Sequence, residues 1–218
     1  MFLTEKDLVA SLKKNVGQIC EWGPEHSYTA ILEEVNLGYG IADLVISKIT
    51  DNNLHHQRLT YFDITIYKIV EVETDVTFEK IKLITKASKS SILKSIKKLM
   101  MESFVNESDT FFKVTNQYKM LSEETIAIEA KLKNWKRALE QAFRYKWFSD
   151  QSYVVLDSKS IKPAIKNLNE FKKFEVGLAE INILGHVNIL YKAPSMKPID
   201  ERMLMLLNEH IKDYLVSK

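Results

Sequence analysis

Two periods run through the apolar positions of the chain. Leu8, Val9, Leu12 and Val16 follow the 3.6-residue spacing of one helix face, behind Thr4, whose hydroxyl can cap the first turn; this helix should end before Trp22-Gly23-Pro24. Tyr28 to Leu37 and Ile41 to Ile49 read as strands, joined at Gly38-Tyr39-Gly40, where glycine supplies the positive φ of a tight hairpin turn. From Leu59 to Phe112 the pattern becomes three helices and a short hairpin, with no strand long enough to continue a sheet. Strand character returns at Thr125 to Leu132. A helix follows from Asn134 to Phe148, with Trp135, Ala138, Ala142 and Tyr145 on one face, and then a strand from Ser152 to Leu156. The tail adds a helix near Ile161 to Phe174, strands around Gly177 to Ile183 and Val187 to Tyr191, and an amphipathic helix from about Pro198 to Leu215. The expectation is an α/β core made of residues 1–58 and 120–218, with residues 59–119 inserted as a separate module.

Composition narrows the class. Of 218 residues, 45% are hydrophobic and 28% charged, the balance of a globular protein large enough for a core and a small module. No apolar run approaches the roughly 18 residues of a spanning helix, so no membrane partner is expected. Glu5, Lys6 and Asp7 interrupt the amino-terminal region before any apolar signal can form, which reads as cytoplasmic. Cys20 is the single cysteine, excluding an intramolecular disulfide framework and a thiolate zinc cluster. Adjacent His55 and His56 would face opposite ways on a strand, and a polar loop is expected there.

The net charge of +2 hides a concentration. Residues 77–119 hold nine lysines against Glu79, Glu102, Glu107 and Asp109, so this segment carries +5 and the remainder −3. Between Lys80 and Lys98 there are seven lysines and no acid, a stripe that attracts phosphate backbones.

The chemistry-bearing residues lie on apolar strands. Alternation puts Asp43 on one side of its strand with Val45, and Ala42, Leu44 and Ile46 on the other. It also puts Glu129 and Lys131 together, with Ile126, Ile128, Ala130 and Leu132 behind them. Charges inside a sheet are costly unless paired or bound to a metal. The pairing alternative is a Glu129–Lys131 or Asp43–Lys131 ion pair on an exposed sheet face.

Asp43, then Glu129-Ala130-Lys131, then Gln141 and Tyr145 on the next helix resemble the signature of the PD-(D/E)XK, or restriction-endonuclease-like, nucleases with its Q-x-x-x-Y extension. Glu34 to Val45 resembles that family's first hairpin and Ala138 to Tyr145 its helix; the likeness covers about two thirds of the chain. Ala42 stands where the family pattern has proline. The long interval from Asp43 to Glu129 requires an insertion, which the basic module supplies. The resemblance implies a mixed central sheet flanked by helices and cleavage of DNA to 3′-hydroxyl and 5′-phosphate ends. Asp43 and Glu129 would hold Mg²⁺, with Mn²⁺ as substitute, because carboxylates are hard oxygen ligands. The Ala130 main-chain carbonyl would be a further ligand, and Glu34 another in preference to Glu33, which points to the opposite face. The metal would act as Lewis acid and lower the pKa of the attacking water. Lys131 would position that water or stabilise transition-state charge. Gln141 and Tyr145, one helical turn apart, would face the site as catalytic neighbours; ordinary helix packing is the alternative.

In the module, Ser88 can cap a helix with Ile92, Ile96 and Leu99 inward and Lys89, Lys94, Lys97 and Lys98 toward solvent. The preceding helix, Phe78 to Thr85, would bury Ile81 and Ile84, and the hairpin that follows turns at Asn106 to Thr110. This resembles a winged helix-turn-helix, which implies DNA contact through Lys86, Lys89, Ser90, Lys94, Lys97 and Lys98. Such modules also serve as protein-interaction surfaces. The expected function is a metal-dependent DNA endonuclease; cutting both strands would call for a homodimer or a protein partner. The alternative is a non-catalytic DNA-binding or architectural protein on the same fold. An RNA-processing nuclease is disfavoured by the lack of an RNA-binding signature with exposed aromatics.

Overall fold

Thr4 and Asp7 start the first helix by exchanging side-chain and backbone hydrogen bonds. Thr4 Oγ1 accepts from Asp7 N at 3.1 Å and Asp7 Oδ2 accepts from Thr4 N at 3.0 Å, so two of the first turn's unpaired donors are satisfied. The computed structural model describes residues 1–20, 29–50 and 56–217. Trp22-Gly23-Pro24, the expected strand start at Tyr28, and His55 lie outside the described residues, but the first helix already ends at Lys14, with Val16 in a separate 3-10 turn (Val16–Gln18). Helix α1 (Glu5–Lys14) is followed by a hairpin of β1 (Thr29–Asn36) and β2 (Ile41–Ile49), with Gly38 and Gly40 at φ 94° and 123° as the turn requires. Next come α2 (Tyr61–Val72), α3 (Phe78–Thr85), α4 (Lys89–Met101), β3 (Val105–Ser108) and β4 (Phe111–Val114). The rest of the chain is β5 (Ser122–Lys131), α5 (Trp135–Tyr145), β6 (Gln151–Asp157), α6 (Lys162–Lys166), α7 (Leu168–Phe174), β7 (Gly177–Ile181), β8 (Val187–Tyr191) and α8 (Glu201–Val216).

The fold is α/β, a mixed six-stranded sheet in the order β1-β2-β5-β6-β7-β8 with helices on both faces. β5, β6 and β7 run parallel, and the flanking pairs are antiparallel. Every residue of β6 is buried, as expected for a central strand covered on both faces. One core lies under α5, α7 and α8, where Ala138, Ala142, Phe171, Met203 and Leu207 meet Val45, Ala127 and Val154. The other lies under α1, where Leu8 and Leu12 meet Leu44, Ile46, Ile126 and Ile128.

The first hairpin departs from simple alternation. Ala30 and Leu32 face the same core as Val35 and Leu37, and Ala42 joins Val45 there while Leu44 and Ile46 face the other core. Both strands therefore change phase at Glu34 and Asp43, a pair missing from the ladder between Glu33–Leu44 and Val35–Ala42. Glu34 carries the irregularity as a left-handed φ of 52°. Ala42 is thus not on the Leu44 side that alternation predicts.

Residues 59–119 contribute nearly all of a third cluster, including Ile64, Tyr67, Ile81, Ile92, Leu99 and Phe112, joined by Met205 of α8. Ile81 is buried, but Ile84, expected inside, is 45% exposed beside Leu83; an eight-residue helix closing on left-handed Lys86 turns only a narrow face inward. The hairpin turns at Asp109 and Thr110, both at positive φ, and its second strand also bridges to Val76. The expected helix from Ile161 to Phe174 is broken at Asn167, whose side-chain amide donates to the Pro163 carbonyl at 2.8 Å and ends α6.

Where residues 56–59 enter this segment, Glu209 of α8 is wholly buried. It accepts from His56 at 2.8 Å, Leu59 N at 2.8 Å, Tyr118 at 2.7 Å and Lys212 at 2.9 Å. His56 therefore packs inward, edge-on to Phe104 and Tyr118, rather than in a solvated loop. No helix among the described residues is long and apolar enough to cross a membrane.

Candidate functional site

The ladder between β2 and β5 stops at Leu44–Ile128, one pair short of Asp43 and Glu129. Beyond it the Ala130 N–H needs another acceptor, and Asp43 Oδ2 takes it at 2.7 Å. Asp43 is thereby fixed at the point where the strands part. This contact uses the Ala130 N–H and leaves its carbonyl, the ligand that the family resemblance implies, out of it.

The expected pairing of Lys131 with Glu129 and Asp43 forms, but not on an exposed face: Glu129 lies on the α5 side of β5 and is 1% exposed. Lys131 Nζ is 2.9 Å from Glu129 Oε1, 3.8 Å from Asp43 Oδ2 and 3.2 Å from Glu5 Oε2. The other Glu129 oxygen contacts the Tyr145 hydroxyl, which also reaches the Ile41 carbonyl at 2.7 Å. One hydroxyl proton cannot serve both acceptors at once. Glu129 Oε1 is buried and meets only the Lys131 ammonium, at 2.9 Å, with no further donor.

Electrostatics follow from this shortage of donors. Burial pushes the Glu129 carboxyl above its usual range, against the opposing Tyr145 and Lys131 contacts, and Asp43 adds to the rise. Burial also raises Asp43, opposed by the Ala130 N–H and Lys131 and assisted by Glu5 and Glu34. Burial alone would lower Lys131, but Glu129, Asp43 and Glu5 outweigh it and hold the ammonium charged. Tyr145 is raised by burial and by Glu129.

Two carboxylates, one with a buried oxygen that meets only the Lys131 ammonium, are hard oxygen ligands of the kind a divalent cation takes. Among the described residues no group of three or more His, Cys, Asp and Glu side chains forms a cage. Mg²⁺ commonly takes one or two carboxylates and fills its other positions with water and phosphate oxygens, so this donor set fits it.

The remaining sequence-derived residues fall into place unevenly. Tyr145 is at the centre, and its helix is tied to the first hairpin by Tyr39 stacking on Trp147 at 4.9 Å. Gln141, one turn away, has a buried side-chain oxygen with no partner and makes no hydrogen bond to either carboxylate. Glu34 is exposed and acts on Asp43 through charge, while Glu33 pairs with Lys13 on the α1 side. Glu5 was not legible in the sequence, because its place in a capped first turn already accounted for an acid there. In α3 and α4, Lys86, Lys89, Ser90, Lys94 and Lys97 are exposed. Lys98 is not left to solvent as expected: it binds Asp63 at 3.0 Å and the Arg58 carbonyl, inside the segment.

Compared with protein-family models, curated proteins and solved structures, the chain matches none.

Proposed function

We propose that the chain is a metal-dependent DNA endonuclease with a restriction-endonuclease-like core and an inserted winged helix that captures DNA. The observation that carries this reading is the meeting of Asp43, Glu129 and Lys131 where two strands part, with two carboxylates gathered around a single ammonium. Asp43 and Glu129 would hold Mg²⁺, which when bound supplies Lewis acidity at a phosphoryl oxygen. The Ala130 N–H orients Asp43, and Tyr145 orients Glu129. Lys131, kept charged by three carboxylates, offers its ammonium to negative charge developing on the phosphate. Helix α4 presents Lys89, Lys94 and Lys97 on its open face, with Lys86 and Ser90 at its amino-terminal end.

Purified protein should cleave supercoiled and linear DNA with Mg²⁺. Asp43→Ala, Glu129→Ala and Lys131→Ala should each lower cleavage by about a thousandfold or more while the protein stays folded, since a metal contributes several kcal/mol to such a transition state. Full activity of folded Glu129→Ala would reject the assignment. Replacing Lys89, Lys94 and Lys97 together should weaken duplex binding and flatten the slope of log affinity against log salt by about 2.7, roughly 0.9 for each phosphate contact. An unchanged slope would make this segment a protein-interaction module. A second reading, a non-catalytic DNA-binding protein, is favoured by the Lys131–Glu129 pair, which already balances charge without a cation. Retained DNA binding with no cleavage under any divalent metal would select it.

A further inference from the structure

Helix α5 has a second face, turned away from Glu129. An open groove of about 720 Å³ runs between α5 and α7. Trp135, Leu139 and Phe143, four residues apart on one row of α5, form a wall, and Phe174 of α7 faces them; Phe143 and Phe174 meet edge to face at 5.2 Å. Phe143 is 39% exposed, unusual for a ring with a core beside it. Lys136 and Arg144 occupy the adjacent row of α5. A lysine stands over each ring: Lys136 over Trp135 at 5.7 Å, Lys173 over Phe174 at 5.6 Å and Lys146 over Phe143 at 5.8 Å. Lys146 is committed to Glu175, but Lys136 and Lys173 are exposed.

Charge indicates what the groove takes. Residues 133–175 hold ten Lys and Arg against five Asp and Glu, an excess of +5 equal to that of residues 77–119. In the lining itself Glu140 and Glu170 balance Lys136 and Arg144, so the cationic excess lies on the exposed flanking residues of the same elements, Lys133, Arg137, Lys172 and Lys173. Phe143 is exposed and Trp135 and Phe174 are half-buried; an open ring beside cations binds an unpaired base by stacking and its phosphate by charge, whereas a duplex keeps its base faces hidden. We infer that the groove between α5 and α7 binds single-stranded DNA.

This rests on the nuclease reading and extends it. The same helix carries Tyr145 to the carboxylates, so a strand in the groove lies about one helix diameter, roughly 10–12 Å, from the proposed cleavage site. The substrate class is therefore DNA with a single-stranded segment, its duplex part held by α4.

The test is fluorescence anisotropy with a labelled oligothymidylate and a blunt duplex, in chelator, on the full chain. Phe143→Ala should weaken oligothymidylate binding by about 5- to 150-fold, the range for loss of one stacked base, with little change for duplex. Phe143→Leu, apolar but unable to stack, should weaken it similarly. Lys136→Ala with Arg144→Ala, both on the surface, should flatten the single-strand salt slope by about 1.4. The Lys89, Lys94 and Lys97 replacement should do the reverse, affecting duplex and sparing the oligonucleotide. The proposal is overturned if the oligothymidylate does not bind, if the Phe143 and Lys136/Arg144 variants, folded by circular dichroism, bind it normally, or if sedimentation shows a dimer that those variants dissociate. Because no metal is present, these outcomes are independent of cleavage. The nuclease reading fails separately, on duplex cleavage by the Asp43 and Glu129 variants.

Discussion

Two glutamates buried in the same chain have opposite electrostatics. Glu209 has four donors on its two oxygens, and although burial opposes ionisation, His56, Lys212, Tyr118 and the Leu59 N–H outweigh it and take the carboxyl down to about 2. Glu129 has Tyr145 on one oxygen and only Lys131 on the other, and burial, with Asp43 beside it, pushes its carboxyl up. Depth is nearly the same, 0% against 1% exposed, so burial does not separate them; the number of donors and the like charge of Asp43 beside Glu129 do. A saturated carboxylate joins α8 to residues 56–118 and has no capacity left for a ligand. One held by fewer donors, with a second acid beside it, is where the proposed cation would sit.

The contrast can be broken most strongly at Glu209. Glu209→Ala strands Lys212, His56, Tyr118 and the Leu59 N–H together, and breaking a buried pair from one side should cost about 3–5 kcal/mol, read by denaturant unfolding. An effect below about 1 kcal/mol would show that the network does not hold the junction.

Acid titration is next in size. Glu209 has its folded pKa below the ordinary value of 4.5, so its contribution is full above that value and lost as pH falls toward about 2. The stabilisation at stake is about 3 kcal/mol, and the loss should largely disappear in Glu209→Gln. A wild-type stability curve flat across that window would contradict the saturated-carboxylate account.

The smallest effect sharpens the other side. Glu129 and Asp43 have raised folded pKa values, so their ionisation works against the fold as pH climbs above the ordinary carboxylate range. At pH 7, Mg²⁺ at about ten times its Kd should add about 1.4 kcal/mol of stability, seen as a higher Tm. Glu129→Gln should remove most of that response. A response unchanged in this variant would place the cation elsewhere.

Much of the scaffold was legible along the chain because the signals are local. The Thr4 cap, the Gly38 and Gly40 turn and the bounds of β2 each depend on neighbours within a few residues. The site was legible where alternation sufficed: Glu129 does sit opposite Ile128 and Ala130 across β5. It failed where alternation failed, at Asp43 and Glu34, because a left-handed residue in the partner strand shifts the phase of both.

The sequence by itself determined the elements, the acids and lysine available for chemistry, and the two basic segments. Only tertiary structure decided which charges are free to act. Lys98 looks identical to its neighbours along α4 until Asp63, 35 residues away, takes it. Glu5 looks like an ordinary helix-start acid until Lys131, 126 residues away, reaches it. Glu129 and Glu209 are distinguished by donors that arrive from distant strands and helices. A pairing set by chain return leaves no periodic trace in the sequence, yet it fixes the local dielectric and hydrogen bonding that govern a buried charge.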